Sequence, residues 1–387
     1  MENKIFKRTL LGASVALLST GVMAKEVGIN SDFNVDVYGV AAISMVNYNT
    51  TDNRDDSSGF AVENESRIGF RAHKDMFDDV LITMQIESGY VDSTDWSHGG
   101  VSGGVLGFRD TFVGASGSWG NLRVGRVLTP LYEIVDWPFS NPGLGSVFDW
   151  GGINGHYDRQ SNQVRYDSAK FGGFSFAASV GRDDNDNGGG AATRDANFVG
   201  ASAKYSFEKI TFMAGVESGT RVVASTSDVY AVGTAADVAN GVKDADKNLV
   251  TEGDNYLKSK GVAGYDDDTF AYIVGFEASL PAGFGIAAAY KGEELDNGIR
   301  KQTQDSYSVI GQYWNGPIGF KLGYAANLES ELNGKKEAGS DSSTISGQLM
   351  AVHNGFVPYL RVAGRTFYKD GVEDTDIVTR IGLEYGF

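Results

Sequence analysis

The sequence is poor in the residues that many functional sites need. It has no cysteine, four histidines and six prolines in 387 residues. The lack of cysteine excludes disulfides, a thiol nucleophile and a thiolate zinc site, and four histidines leave little material for a histidine metal cluster. Basic residues are outnumbered, with 33 Lys and Arg against 50 Asp and Glu. A net charge of −17 repels phosphate backbones, so general nucleic-acid binding is excluded and cations are the more favourable solutes.

Long apolar runs are also scarce, although aromatic residues are plentiful. The 22 Phe, 18 Tyr and 5 Trp provide enough apolar surface to argue against a disordered chain. After residue 24, no apolar run approaches the roughly 20 residues of a membrane-spanning helix. The length fits either two ordinary domains or one large β structure.

The first 24 residues differ in character from the rest. Lys4, Lys7 and Arg8 precede an apolar run over residues 10–18, and Val22, Met23 and Ala24 form a small-residue cleavage pattern. The segment predicts a secretory signal peptide, residues 1–24, that is removed after Ala24. We expect residues 25–387 to form the exported domain, which would be more acidic still.

Apolar residues alternate with polar or small ones through much of the remaining chain. At the C-terminus, Ile377, Ile381, Leu383 and Tyr385 share one parity, and the residues between them are mostly charged or glycine. A strand places these two sets on opposite faces. Aromatic residues lie at the ends of the apolar sets, which favours a lipid-facing band with interfacial girdles over the core of a soluble sandwich. The pattern recurs in residues 174–180, 210–216, 270–280 and 318–324.

The connections between these segments are of two kinds. Short turns are predicted at residues 168–173, 206–209, 281–283, 315–317 and 353–355. Long polar stretches cover residues 92–104, 183–194, 219–268, 292–304 and 327–342. Short turns on one side and long loops on the other are typical of an outer-membrane barrel. The fold class is therefore all-β: a transmembrane antiparallel β-barrel of about 16 strands, wide enough for an aqueous channel.

Several motifs resemble those of the Gram-negative outer-membrane general porins. They are Ser66-Arg67-Ile68-Gly69-Phe70, Gln85-Ile86-Glu87-Ser88-Gly89, Arg109-Asp110-Thr111-Phe112-Val113-Gly114, the run from Gly117 to Arg126, Asn162-Gln163-Val164-Arg165-Tyr166 and the terminal Phe387. The resemblance implies a 16-stranded barrel in the outer membrane, in contact with its lipid and lipopolysaccharide. It also implies a homotrimer, an inward-folded third loop and no cofactor.

The third loop of such a barrel corresponds to residues 127–158. This segment carries Leu131, Phe139 and Phe148 among other large apolar residues, which is too much apolar surface to leave in water. An acidic external loop is the alternative. A loop packed against the inner wall would bury these side chains, so we expect the inward course.

The resemblance also implies charged residues at a pore constriction. It places Arg67, Arg126 and Arg159 on the basic side, and Arg71 and Arg165 are candidates because each shares parity with one of them. The alternative is that these arginines pair with carboxylates of the wall. Glu133, Asp136 and Asp149 are candidates for the acidic side, although the sequence does not fix which of them faces the pore.

Three functions remain open: a general diffusion channel with a modest preference for cations, a channel specific for a substrate such as oligosaccharides, and a barrel enzyme or adhesin. Tyr132, Trp137 and Trp150 could begin the aromatic path that a sugar channel needs. Gly100-Val101-Ser102-Gly103-Gly104 fits a nucleophile motif but lacks its strand and helix, so no enzyme is expected. Asp183 to Gly188 matches half of a calcium loop, but Arg194 stands where a glutamate is required, and no metal site is predicted.

Overall fold

The structure is a computed structural model, and it describes residues 32–49, 59–89, 106–140, 147–182, 196–223, 228–239, 241–261, 264–369 and 371–387. The predicted signal peptide lies outside these residues. So do the two predicted loops at 92–104 and 183–194, which include the nucleophile-like and calcium-like motifs.

The described residues are mostly β-strand. In chain order the strands are β1 Asn34–Asn49, β2 Gly59–Asn64, β3 Arg67–Phe77, β4 Val80–Gly89, β5 Thr111–Gly117, β6 Gly120–Leu128, β7 Arg159–Ser168, β8 Phe174–Arg182, β9 Asn197–Phe207, β10 Ile210–Val223, β11 Val229–Val232, β12 Asn255–Ser259, β13 Tyr265–Ser279, β14 Phe284–Asp296, β15 Lys301–Asn315, β16 Ile318–Asn327, β17 Glu331–Leu332, β18 Lys335–Lys336, β19 Ser342–Ala351, β20 Phe356–Lys369 and β21 Val372–Gly386.

Sixteen strand positions within the described residues close into an antiparallel barrel. Each wall strand pairs with the next, and β21 pairs with β1, with Ile43 opposite Leu383, so the ring is closed. β2 and β3 occupy one position, because both pair with β1 on either side of the break at Glu65 and Ser66. β11 and β12 form a separate sheet, and β17 and β18 form a hairpin beside the end of β15. This confirms the predicted fold.

Helical segments are short. They are α1 Pro130–Ile134, a π-helical turn Val135–Phe139, α2 Val147–Trp150, α3 Ala235–Ala239 and a 3₁₀ turn Pro281–Gly283. In the part of the chain that the structure describes, no helix has the length and apolar character needed to cross a membrane.

The barrel buries polar side chains and exposes apolar ones. In β21, Ile381 is 62% exposed on the outer face, whereas its neighbour Arg380 is 6% exposed on the lumen face. Likewise Val274 of β13 is exposed and Ile273 is buried against the loop that enters the lumen. The predicted alternation is therefore confirmed, with the apolar parity facing outward. This is the arrangement that a lipid surround stabilises.

Aromatic side chains form bands near both ends of the outer surface. Tyr272 and Tyr290 of neighbouring strands have ring centroids 6.5 Å apart, and Tyr307 and Tyr324 are 6.0 Å apart. At the end with the tight turns, Phe284 and Tyr313 approach to 4.7 Å. Such bands match the interfacial girdles expected from the sequence.

The connections mostly follow the prediction, with two differences. β14 runs to Asp296 and β15 begins at Lys301, so the predicted long loop 292–304 is mainly strand. These strand ends project beyond the apolar band, where both faces are polar and alternation cannot mark them. The stretch 219–268 contains β11, α3 and β12 between the ends of β10 and β13.

Candidate functional site

Residues 129–158, here called loop 3, leave the end of β6 and fold into the lumen. Five of their apolar side chains are at most 1% exposed: Leu131, Ile134, Val135, Phe139 and Phe148. They pack against inward-facing residues of β10, β13, β14 and β16, namely Met213, Ala271, Ile273, Ala287, Ala289 and Ala325. The predicted inward course of the loop is confirmed.

Small wall residues make room for this contact. A Cβ atom on Gly275 would lie 2.5 Å from Cζ of Phe139, so any larger residue at this point of β13 would push the loop away. The Ser308 hydroxyl donates to the Phe139 carbonyl, and the Asn327 side-chain amide donates to the Val147 carbonyl at 2.8 Å. β16 lies eight positions from β6 in the sixteen-position ring. Loop 3 therefore reaches the wall opposite its own origin and narrows the channel.

Charged contacts hold the first arm of loop 3, which includes Glu133, against the wall beside it. The Arg165 guanidinium donates to the Glu133 carboxylate, and Lys204 Nζ lies 2.9 Å from its other oxygen. Although burial alone would raise the pKa of Glu133, Arg165 and Lys204 hold it well below its ordinary value. Glu133 is therefore ionised at neutral pH and serves as an anchor.

The second arm of loop 3, which includes His156 and Tyr157, is held to the wall through buried polar groups. The Tyr157 backbone N–H donates to Glu217 at 2.7 Å, and His156 Nδ1 contacts the Glu293 carboxylate. Burial, followed by the charge of Lys291, lowers the pKa of His156, so the ring is neutral at pH 7 and donates its Nδ1 proton to Glu293. Both ends of loop 3 are thus fixed to different strands.

The five predicted basic residues lie on the lumen face but differ in their contacts. Arg159 Nε is 2.6 Å from Asp110, and Arg71 donates to Gln85 at 2.8 Å. Arg126 donates to the Phe108 carbonyl at 2.6 Å and to the Ser161 hydroxyl at 2.8 Å. Arg165 is 2% exposed and holds Glu133 and Asp167. Among described residues, the Arg67 side chain has neither a hydrogen bond nor an ion pair.

The three predicted acidic residues are separated by the structure. Glu133 anchors the loop, and Asp149 is 8% exposed. Asp136 is exposed at the turn of loop 3, within electrostatic range of Asp158, Arg159, Arg109 and Arg67. Crowding in the lumen, and then the neighbouring Asp158, raise the pKa of Asp136 above its ordinary value. Of the three, Asp136 therefore has the geometry to face the arginine side of the channel.

Sequence reasoning missed several paired charges of the constriction. Arg109 Nε lies 2.6 Å from Glu87, and Asp110 accepts from Arg159. Arg109 and Asp110 belong to the Arg-Asp-Thr motif, but only the register of β4, β5 and β7 brings these charges together. Apart from Arg67, the described arginines of this wall thus lie next to acceptors.

Trp137 follows Asp136 on the same turn of loop 3. Its backbone is extended (φ −141°, ψ 127°), and its side chain is half-buried. The Lys321 ammonium of β16 lies 5.0 Å from the indole centroid. An aromatic residue therefore lies next to Asp136, the loop carboxylate within electrostatic range of Arg67, Arg109 and Arg159.

The barrel, the inward loop and the charged lumen fit one family, and comparison with known proteins agrees. The family model described as Gram-negative porin matches residues 12–354. The chain belongs to the Gram-negative porin family.

This porin is 72% identical to a protein named chitoporin from Vibrio furnissii over 100% of both chains. It is 25% identical to the major outer membrane protein P.IB of Neisseria sicca over 88% of both. The OmpT structure from Vibrio cholerae has the same fold, with a TM-score of 0.65 and 16% identity over 92% of the porin and 100% of that chain. The protein is an outer-membrane channel and not an enzyme.

Proposed function

We propose that this porin conducts neutral oligosaccharides derived from chitin, together with small ions, and that solutes pass between loop 3 and the basic wall. The observation that carries the proposal is the position of Trp137, at the constriction and next to the exposed Asp136. Sugar rings stack on aromatic faces through their apolar C–H surfaces, and their hydroxyl groups need fixed donors and acceptors. The name of the 72% identical relative, chitoporin, supports the choice of sugar.

The charge pattern of the constriction supports a neutral solute. Arg159 with Asp110 and Arg109 with Glu87 form pairs that cancel much of the local field. Such pairs still offer hydrogen-bond donors and acceptors at fixed positions, as a polyhydroxylated solute requires. We infer a modest preference for cations, because the net charge of −17 acts mainly at the channel mouths.

The residue roles form part of the proposal. Arg67, Arg71, Arg126 and Arg159 form the basic side, with Arg67 the most available to a passing solute. Asp136 forms the acidic side, while Glu133 and Arg165 hold the loop. Tyr132 stacks on His156 at 5.7 Å and supports the loop from behind.

We also propose that three copies assemble in the outer membrane, with lipid and lipopolysaccharide around the trimer. The exposed apolar bands on the outer surface support both contacts, and the OmpT structure from Vibrio cholerae is of a trimer form. Stepwise openings in threes in a planar bilayer test this assembly.

The experiment for the sugar proposal is conductance in a planar bilayer with and without chitin oligosaccharides. Block of the ion current by these sugars supports the proposal. The second candidate is a general diffusion channel, which the aqueous lumen alone would satisfy. Unblocked current with every sugar supports that candidate instead.

A further inference from the structure

One buried lysine of the wall lies under loop 3. Lys321 of β16 is 3% exposed. Among the described residues, its side chain makes no hydrogen bond and no ion pair. A buried ammonium needs a stabilising contact. One such contact is the face of the Trp137 indole, 5.0 Å from the ammonium, and the charges of Arg361 and Glu384 also act on Lys321.

A cavity lies beside this contact, between loop 3 and the wall. It is lined by Trp137, Pro138, Glu277, Ile286, Ala287, Ile310, Gln312 and Lys321. Four of these residues are apolar, and Ile310 and Ala287 are buried wall residues. Trp137 is itself one of the lining residues, so the position of its indole and the size of the cavity depend on each other.

The backbone of loop 3 on either side of Trp137 is fixed, so the indole is the part that can move. The Ser140 hydroxyl donates to the Asp136 carbonyl at 2.7 Å, and Ser308 holds the Phe139 carbonyl. We propose that Lys321 is a positioning residue: its ammonium holds the Trp137 indole at the lumen surface and so sets the width and the sugar affinity of the constriction. The effect on affinity rests on the proposed function, whereas the effect on indole position does not.

The test uses full-length protein with Lys321→Met, which keeps the length of the stem and removes the charge, and Lys321→Arg, which keeps a cation. Lys74→Met is the matched control. Lys74 is also an ammonium over an aromatic ring, that of Phe33 at 5.7 Å, and it lies on β3, away from loop 3. Acrylamide quenching measures the exposure of Trp137, taken as the difference between each protein and its own Trp137→Phe version.

In Lys321→Met we expect the indole to lose its fixed place against the wall and to become more exposed to the lumen. The Trp137 share of quenching rises, and sugar dissociates roughly five-fold faster, on the order of what the loss of one partly exposed cation–π contact implies. Lys321→Arg retains the wild-type quenching and dissociation rate. Lys74→Met leaves the Trp137 quenching and the dissociation rate as in the wild type.

The inference is overturned if Lys321→Met leaves Trp137 quenching unchanged, or if Lys74→Met raises it equally. If Lys321→Met does not assemble, Lys321→Gln replaces it and the same quenching difference decides. Should the wild type show no sugar block, the proposed function fails, while the quenching measurement still decides the role of Lys321.

Discussion

The positive charge that the constriction arginines present to a passing ion depends on whether each arginine has an ion-pair or hydrogen-bond partner, and less on how many arginines there are. Arg159 is paired with Asp110, Arg165 with Glu133 and Asp167, and Arg126 with a carbonyl and a hydroxyl. Arg67 has no such partner among the described residues. A paired charge is largely cancelled at the distance of a passing ion, so Arg67 should contribute most to the positive potential of the lumen.

Replacing Arg67 by Gln should therefore raise cation selectivity more than replacing Arg126 does. Both changes remove one positive charge, and Arg126→Gln is the matched control. Reversal potentials across a KCl gradient measure the effect, which should be greatest at low salt because charges are screened beyond about 8 Å at physiological ionic strength. Equal shifts in the two variants would show that pairing does not decide the field.

Asp136 gives the channel a dependence on pH. Crowding in the lumen and the adjacent Asp158 raise its pKa, which means that it loses its charge at a higher pH than an ordinary aspartate. We expect part of the cation selectivity to be lost while the pH is still above about 4, where ordinary aspartates keep their charge. Asp136→Asn should reduce this loss, and Asp75→Asn, at an exposed position near the tight turns, should keep it. A wild-type selectivity that is flat over this range would contradict the assignment.

At the residue scale, the sequence could identify the wall arginines but not their partners. Family motifs and strand parity single out Arg67, Arg126 and Arg159. The partners Asp110 and Glu87 become visible only in the structure, because cross-strand register sets which charges meet. In the same way, no sequence signal links Lys321 to Trp137, which are 184 positions apart in the chain.

At the scale of elements, loop 3 is the part of the barrel that narrows the lumen, and in the proposed function it decides what passes. Its apolar side is seated on small wall residues, and its two arms are fixed by Glu133 and by His156 and Tyr157. Because opposite walls hold the loop, its turn at Asp136 and Trp137 is kept at a constant distance from the arginines. A rigid constriction favours a steady single-channel current with few brief closures.

Glu133→Gln should loosen the first arm of loop 3. The change removes the carboxylate that contacts Arg165 and Lys204. We expect the free energy that holds the arm against the wall to fall by about 1 kcal/mol, a modest loss because Glu133 is partly exposed. Brief closures in single-channel recordings should become more frequent. Glu252→Gln, at an exposed external position, is the control and should leave the recordings unchanged.

The pH dependence of this anchor follows from the direction of the pKa shift. The pKa of Glu133 is lowered in the folded barrel, so its contribution is present above the ordinary pKa of a glutamate. It is lost only as the pH falls through the much lower folded value. Brief closures in wild-type recordings should therefore stay infrequent down to about pH 4. Frequent closures at about pH 5 would show that the anchor is weaker than its contacts indicate.

The elements themselves were largely predictable, and the exceptions have a physical cause. Alternation marks a strand only where one face meets lipid and the other water, and this condition holds for β13, β16 and β21. It fails for the ends of β14 and β15, where Glu294 and Lys301 form an ion pair at 2.6 Å in a zone that is wet on both faces. The inward course of loop 3 was predictable because its apolar residues could not remain in water.

At the scale of the whole molecule, the distribution of side chains is the reverse of that in a soluble protein. Its outer surface is apolar and its lumen holds the paired charges, so the membrane completes the fold that a core would complete in a soluble protein. The acidic surplus of the chain, with a net charge of −17, should attract cations to the mouths, while the constriction selects by shape and hydrogen bonding. In the proposed function, attraction at the mouths and selection at the constriction let one channel carry ions and still discriminate between neutral sugars.

The most direct test is single-channel current through the reconstituted porin with chitin oligosaccharides on one side and malto-oligosaccharides of equal length as the control. We predict discrete blocking events with chitin oligosaccharides at concentrations on the order of micromolar, few events with the control sugars, and their loss in Trp137→Ala. Current that neither sugar interrupts, or that both sugars interrupt alike, would contradict the account and leave a general diffusion channel.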